Sequence, residues 1–351
     1  MTSRLRVAVL LGGPSAEHDV SLVSGAAVVR ALDRDRFSPF PVRIGLDGGW
    51  SFGEEAGADA GAAGDAGPLT LAEALERLAA SADVAFIALH GPFGEDGTIQ
   101  AILEATGLPY TGAGVAASAV GMDKPLFKRL VEGLGLPVIP WLEVSRARWL
   151  ADWPGELARL EELARSAGDA RLMVKPAANG SSVGMTLAHD ADERTLALEE
   201  AFAHGPRAIV EAYAADAREF ELAVLGSDDL EVFGPGEIFP GHEFYDYSAK
   251  YEEGVSDTTP TADVDAETAD RLRHLALAAF RAVGAEGMAR VDFLAPPGRL
   301  FLSEINTVPG FTPISLYPAM VEAGGISFAE LCARLIDLGL TRAGKAGASP
   351  P

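Results

Sequence analysis

The chain has one cysteine, Cys332, so it forms no internal disulfide and no thiolate metal cluster. Cys332 falls in the apolar helical stretch 328–340, which marks a buried structural thiol rather than a nucleophile. Basic residues are scarce: 28 Lys and Arg stand against 51 Asp and Glu, giving a net charge of −23. Such a surface repels a phosphate backbone and excludes nucleic acid as a partner, although a single nucleotide stays open to a few converging lysines. No apolar run is long enough to cross a membrane. The basic N-terminus leads into only residues 7–11 of apolar sequence before glycines, without the h-region and cleavage pattern of a secretory signal. The expectation is a cytoplasmic protein with no membrane partner. GxGxxG and GxxxxGK[ST] are both missing, which argues against a dinucleotide site and a Walker loop, and the six histidines show no metal-site spacing.

What is present is a globular composition, 48% hydrophobic and 23% charged, in 351 residues, enough for two or three subdomains. Residues 6–11 read as a buried parallel strand, followed by a glycine turn and a helix over 20–32, the opening of an α/β domain. Further strands are expected at 40–44 and 83–89, with helices at 71–80, started by a Thr70/Glu73 capping box, and at 98–106. Residues 53–68 read as a low-complexity surface loop, and the Gly/Ala/Ser-rich stretch 107–121 closes the first domain. Beyond it come a helix over 124–133, strands at 141–144 and 172–174 with a helix between, and strands at 209–212, 218–225 and 230–233. Residues 239–259 lack a period and read as a long functional loop. An amphipathic helix over 266–283 precedes a hairpin, helices over 315–322 and 327–338, and a disordered polar tail from Ala343. No internal repeat is evident.

The hairpin, Met288-Ala-Arg-Val-Asp-Phe-Leu294 and Leu300-Phe-Leu-Ser-Glu-Ile-Asn306, carries the densest chemistry. Strand alternation puts Arg290 and Asp292 on one face and Glu304 and Asn306 on one face. Carboxylate and amide oxygens beside a cation suit hard divalent cations with phosphates between them. A solvated polar face is the alternative, but the flanking Val, Phe, Leu and Ile argue for core, where carboxylates need a partner or a metal. For Asp292 and Glu304 to share a face, paired residue numbers must sum to an even value, so the turn holds an odd number of residues and takes in Arg299.

Four other segments stand out. Gly12-Gly-Pro-Ser-Ala-Glu-His and His90-Gly-Pro-Phe-Gly-Glu-Asp-Gly both follow strands, at the edge where open α/β sheets bind ligands. Each reads equally as an ordinary tight loop with a helix-start acid or a satisfied histidine. Lys124 opens a helix; Lys175 sits within core-like sequence, and the Gly180-Ser-Ser-Val-Gly loop after it could cover phosphates with backbone N–H groups. Phe244-Tyr-Asp-Tyr-Ser-Ala-Lys250-Tyr251 concentrates aromatics with polar tips, either a site lining or a self-packed surface loop. Two lysines, a glycine loop and a carboxylate–amide hairpin together imply Mg²⁺-ATP chemistry.

In this order these motifs, with Met122-Asp-Lys124, Val174-Lys-Pro, Ala289-Arg-Val-Asp-Phe and Glu304-Ile-Asn-Thr-Val-Pro-Gly-Phe-Thr, resemble the D-alanine–D-alanine ligases of the ATP-grasp superfamily over nearly the whole chain. The resemblance implies an α/β fold, α+β in parts: an N-terminal open α/β substrate domain (1–121), a central ATP-grasp subdomain (122–211), a C-terminal one with metal and catalytic residues (212–342), and the tail 343–351. It implies ATP as substrate and two Mg²⁺ ions, or Mn²⁺ in their place, held by Asp292, Glu304 and Asn306. Lys124 and Lys175 would bind the α- and β-phosphates, with Ser182 in the ATP site, Glu211 and Ala214 at the adenine and Glu219 at the ribose. Glu17 would pair with the first D-alanine's ammonium, held by Ser181 and Tyr251. His90 would join the substrate site. Lys250, Ser315 and the Leu316 backbone would take the second substrate's carboxylate. Arg290 and the Gly310 N–H would face the oxyanion. Peptidoglycan precursor synthesis and a homodimer follow from the same resemblance. Ala177-Ala-Asn179 departs from the family pattern, and the 53–68 insert has no family role. A D-alanine–D-lactate ligase is the alternative, disfavoured by Tyr251. A nucleotide-binding protein without catalysis and an oxidoreductase are further alternatives, opposed by the intact site residues and the missing GxGxxG.

Overall fold

The computed structural model describes residues 4–54, 68–239 and 257–347. Three sheets follow one another along the chain. The first has the order β3-β2-β1-β4, from β1 (Leu5–Gly12), β2 (Phe37–Ile44), β3 (Trp50–Phe52) and β4 (Val84–Ile87). β1 runs parallel to β2 and β4, and β3 closes one edge antiparallel. Val7 through Leu11 are wholly buried, as expected of a strand covered on both faces. Helix α1 (His18–Ala31) lies so close to β1 that a Cβ on Gly25 would stand 2.5 Å from the Leu11 side chain. α2 (Leu71–Ser81) starts with the expected capping box, and α3 (Thr98–Thr106) follows β4. The stretch expected only to close this region contains a helix, α4 (Val115–Met122). Its small residues serve close approach: a Cβ on Gly121 would lie 3.3 Å from the Ile305 carbonyl.

Helix α5 (Lys124–Gly133) is capped by Asp123. The second sheet is antiparallel, in the order β5-β8-β6-β7, from β5 (Trp141–Ser145), β6 (Leu172–Pro176), β7 (Thr186–Ala188) and β8 (Arg207–Ala212). Helices α6 (Arg146–Ala151), α7 (Trp153–Ala167) and α8 (Ala191–Ala203) complete it, and Leu172, Val174, Ala208 and Val210 pack with Leu160 and Leu198 in its core. Period-two alternation sends Met173, Lys175, Ile209 and Glu211 to the opposite face. The short β7 and the alanine-rich α8 had no sequence counterpart among the expected elements.

The third sheet, also antiparallel, has the order β11-β10-β9-β12-β13, from β9 (Arg218–Gly226), β10 (Leu230–Phe239), β11 (Asp257–Thr259), β12 (Gly287–Ala295) and β13 (Phe301–Asn306). One face, with Phe220, Leu222, Val291 and Phe293, packs on α9 (Ala266–Ala282) and on Phe127 and Val131 of α5. The ends of the expected irregular loop 239–259 are strand; residues 240–256, like 55–67 of the first insert, lie outside the described residues.

The hairpin pairs Arg290 with Asn306 and Asp292 with Glu304, then Phe293 with Leu302. Ser303 is thus an extra residue, a β-bulge. Arg299 joins the turn as expected, its N–H donating to the Pro296 carbonyl at 3.0 Å. The uninterrupted ladder assumed from the sequence is corrected: Leu294 pairs with Phe301, an odd sum, and the bulge restores the even one at Asp292. Because of it, Leu302 and Ile305, three residues apart, both enter the same core.

α10 (Leu316–Ala323) and α11 (Phe328–Gly347) return to the first sheet, where Leu331, Cys332 and Ile336 share a core with Phe86. The tail expected to be disordered from Ala343 is helical through Gly347. Tertiary docking overrides its composition: the Arg342 guanidinium stacks on Tyr110, 4.1 Å from the ring centre, and donates to the carbonyls of Tyr110 and Gly112.

Candidate active site

A cleft of about 1110 Å³ is lined from all three sheets, and every candidate residue among those described borders it. Lys250 and Tyr251 lie outside the described residues.

At the first sheet, Glu17 precedes α1 without capping it; its carboxylate instead accepts from Ser181 Oγ across the cleft. A Cβ on either Gly91 or Gly180 would stand 2.6 Å from Glu17 Oε2, so a side chain at either position would displace that carboxylate, and Gly91 also has a φ of +73° that favours glycine. Ser181 and Ser182 both adopt left-handed backbone, φ +49° and +57°. This geometry costs about 1 kcal/mol or more per residue and concentrates at ligand clamps. His90 is buried, with Nδ1 3.2 Å from the Val308 carbonyl and Nε2 2.9 Å from Ser24 Oγ. Burial lowers its pKa, but hydrogen bonding and charge from Glu95, with the charge of Glu17, outweigh that and leave it raised. Glu95, the acid of the same glycine loop, is raised chiefly by burial.

The second sheet and α5 supply cations. Lys124 and Lys128 are one helical turn apart. Lys124 Nζ donates to the Asn179 carbonyl at 2.8 Å and lies 3.5 Å from Glu304 Oε2. Lys175 on β6 meets Glu211 Oε2 at 2.7 Å, while Lys128 contacts Glu211 Oε1. Glu211 is 3% exposed and Lys128 1%. Burial would raise the Glu211 pKa; the two ammonium groups reverse it, down to about 2. They compete for one carboxylate. Burial leaves Lys128 below its ordinary value, whereas in Lys175 the charges of Glu211 and Glu304 overcome burial and raise it.

The third sheet supplies carboxylates. Register places Glu221, Asp292 and Glu304 in one row across β9, β12 and β13, with Ala223, Arg290 and Asn306 in the next. Arg290 donates to both Asp292 oxygens at 2.8 and 2.6 Å, and its Nε lies 3.1 Å from Glu221. Burial lowers the Arg290 pKa, but Asp292 and Glu221 hold it well above the ordinary value. The residues expected to serve a metal and an oxyanion separately are therefore bonded to each other here. Asn306 Oδ1 accepts from the Val308 N–H at 2.9 Å. Ser315 caps the approach to α10, its Oγ accepting from the Thr312 N–H at 3.1 Å, and a Cβ on Gly310 would press on that hydroxyl.

Asp292, Glu304 and Asn306 offer only oxygen donors, and Asp292 faces Glu304 directly, a repulsive pair that a cation would relieve. That fits Mg²⁺. Among the described residues no three His, Cys, Asp or Glu converge on one metal position. An ion here would complete its shell from phosphates and water, the usual mode for Mg²⁺.

Sequence reasoning passed over Glu95, Lys128 and Glu221. Glu221 follows Glu219 by two on a strand, a signal that was legible. Lys128 follows Lys124 by four on a helix whose Phe127 and Val131 are buried, a weaker one.

A family model described as D-ala D-ala ligase N-terminus matches residues 6–113, and one described as D-ala D-ala ligase C-terminus matches residues 130–337. The chain is 40% identical to the D-alanine–D-alanine ligase of Chlorobaculum tepidum over 361 residues, covering 97% of this chain and 98% of that one. It is 41% identical to the enzyme of that name from Deinococcus radiodurans over 340 residues, covering 95% and 98%. Among solved structures, the D-alanine-D-alanine ligase from Coxiella burnetii matches with TM-score 0.82 at 33% identity, covering 98% and 97%. The VanG D-Ala:D-Ser ligase from Enterococcus faecalis matches with TM-score 0.82 at 32% identity, covering 96% and 100%.

Proposed function

The chain belongs to the D-alanine–D-alanine ligase family, which has the ATP-grasp fold, and from that premise we propose that it joins two D-alanines into D-alanyl-D-alanine, converting ATP to ADP and phosphate, for peptidoglycan precursor synthesis. The observation that carries this is the single cleft in which Glu17, Lys175 and the Arg290–Asp292–Glu304 cluster meet.

In this reading Glu17, held by Ser181 and given room by Gly91 and Gly180, takes the first D-alanine's ammonium. The carboxylate of that D-alanine attacks the γ-phosphorus; the bond to ADP breaks and D-alanyl phosphate forms. Lys124 and Lys175 bind the phosphates. Two Mg²⁺ ions bound at Asp292, Glu304 and Asn306 would neutralise charge on the transferring group. The second D-alanine's carboxylate sits at the N-terminus of α10, with Ser315 and the Leu316 N–H, where backbone donors favour anions. Its amine attacks the acyl carbon. Arg290 and the Gly310 N–H stabilise the oxyanion, the C–N bond forms, the nitrogen loses a proton, and phosphate leaves with the C–O electron pair. His90 orients this end of the site. Ser182, Ala214 and Glu219 complete the nucleotide's contacts; on family resemblance Lys250 would take the second substrate's carboxylate and Tyr251 would pair with Glu17. A homodimer in the cytoplasm completes the proposal, on family resemblance alone.

The test is ADP release with ATP and Mg²⁺, comparing D-alanine, L-alanine, D-serine and D-lactate. D-alanine alone should support turnover and yield the dipeptide. A faster reaction with D-alanine plus D-lactate or D-serine would overturn the specificity, and no D-alanine-dependent ADP would overturn the enzyme.

A further inference from the structure

Lys128 does not border the cleft, yet it is a fully buried ammonium group with no hydrogen-bond acceptor beyond the carboxylate it contacts among the described residues. Burying a cation is costly unless it is paired, and even then the pair often adds little stability. What it touches is Glu211, which does border the cleft and has its other oxygen on Lys175 at 2.7 Å. The neighbouring lining is apolar: Ile139, Ala212, Ala214 and Leu294 form one cluster, with Met173 beside Glu211 in the sheet register. Lys124 and the Gly180 loop are the polar portion, with donors for phosphate. An apolar portion beside one carboxylate suits a nucleobase. The carboxylate there, Glu211, is an acceptor that cannot donate, and the Lys175 ammonium on its other oxygen is the one that the reading above assigns to phosphate.

We propose that Lys128 is a positioning residue for nucleobase selection: with Lys175 it clamps Glu211 as a fixed acceptor, so the site takes a purine with a 6-amino donor and rejects one with a 6-oxo group. The proposal rests on the nucleotide-binding reading above. A single lysine would leave the carboxylate free to swing about one contact; two lysines on opposite oxygens, one from α5 and one from β6, fix its plane. A 6-oxo acceptor placed against that carboxylate leaves two acceptors facing with no proton between them, a mismatch that costs about 100-fold or more in affinity.

The experiment is equilibrium binding of ATP and of ITP, which differs from it at position 6, to the full-length protein, the wild type beside K128M, E211Q and the double variant. Wild type should favour ATP by about 100-fold. K128M should lower that ratio about tenfold, and E211Q should lower it at least as far, since a glutamine can turn its amide donor to a 6-oxo group. The double variant, which removes one charge of each sign and so guards against misfolding, should show the E211Q ratio with no added effect of K128M. An unchanged ATP/ITP ratio in K128M, with both affinities reduced alike, would mean a structural role and overturn the proposal. A K128M effect that persists in full on the E211Q background would overturn it too. D-alanine-dependent ADP release by wild type is read separately, so failure of the ligase reading is distinguishable from failure of this one.

Discussion

The two walls of the cleft solve opposite electrostatic problems. The wall formed by β6, β8 and α5 is paired from within and left one positive charge over: Lys128 and Lys175 share Glu211, all three buried. The wall formed by β9, β12 and β13 is left in excess: Glu221, Asp292 and Glu304 stand in one row, answered by Arg290 and, across the cleft, by Lys124. The first is built to hold its shape without ligand. The second is built to be completed by added positive charge. Removing a charge from the first wall should therefore damage the fold, and removing one from the second should damage chemistry.

The sharpest break of that contrast is Arg290→Ala. Turnover should fall about 1,000-fold through loss of oxyanion stabilisation, with ATP binding largely kept. Initial-rate assays and nucleotide titration read both; loss of ATP binding instead would assign Arg290 to the phosphate side. Glu211→Ala leaves two buried ammonium groups without a partner and should cost about 3–5 kcal/mol of stability, measured from the urea midpoint. A loss under about 1 kcal/mol would mean that the first wall is not held by its clamp. Glu304→Gln should show the reverse: under about 1 kcal/mol in stability, since its ion pair is partly exposed, but a Mg²⁺ requirement raised about tenfold or more. The smallest effect is acid sensitivity. The folded-state pKa of Glu211, about 2, lies below the ordinary 4.5, so its stabilisation is complete above 4.5 and is lost as pH falls through about 2. Acid unfolding of Glu211→Gln should be shallower than wild type in that window, and identical slopes would contradict the clamp.

Much of this was readable in the residues. The parallel opening strand, the capping box at Thr70, the hairpin and its turn at Arg299 follow from alternation, spacing and turn chemistry. The bulge at Ser303 was not readable, because a serine in a strand carries no mark of being unpaired. Helix α4 was hidden by small residues that, in isolation, favour loops and are there for contact with β13. The last turns of α11 form through Arg342 and Tyr110, residues more than 230 positions apart, which no local pattern reports. Lys128 was invisible for the commonest reason: a lysine on a helix ordinarily points to water. Individual candidate residues were legible through their motifs, whereas the pairing of Arg290 with Asp292 and of Glu211 with two lysines required the sheets to be assembled.

The extra residue at Ser303 makes the segment from Asp292 to Asn306 a counted length. Substitution there acts one side chain at a time. Deleting Ser303 would remove the bulge and leave an unbroken ladder, with Leu302 still opposite Phe293 and Glu304 still opposite Asp292; deleting any paired residue between it and Asn306 would instead turn the residues beyond to the other face. The bulge is therefore the one position in β13 where the chain can lose a residue and keep its inside and outside, whereas a change of length at a paired residue exchanges the two.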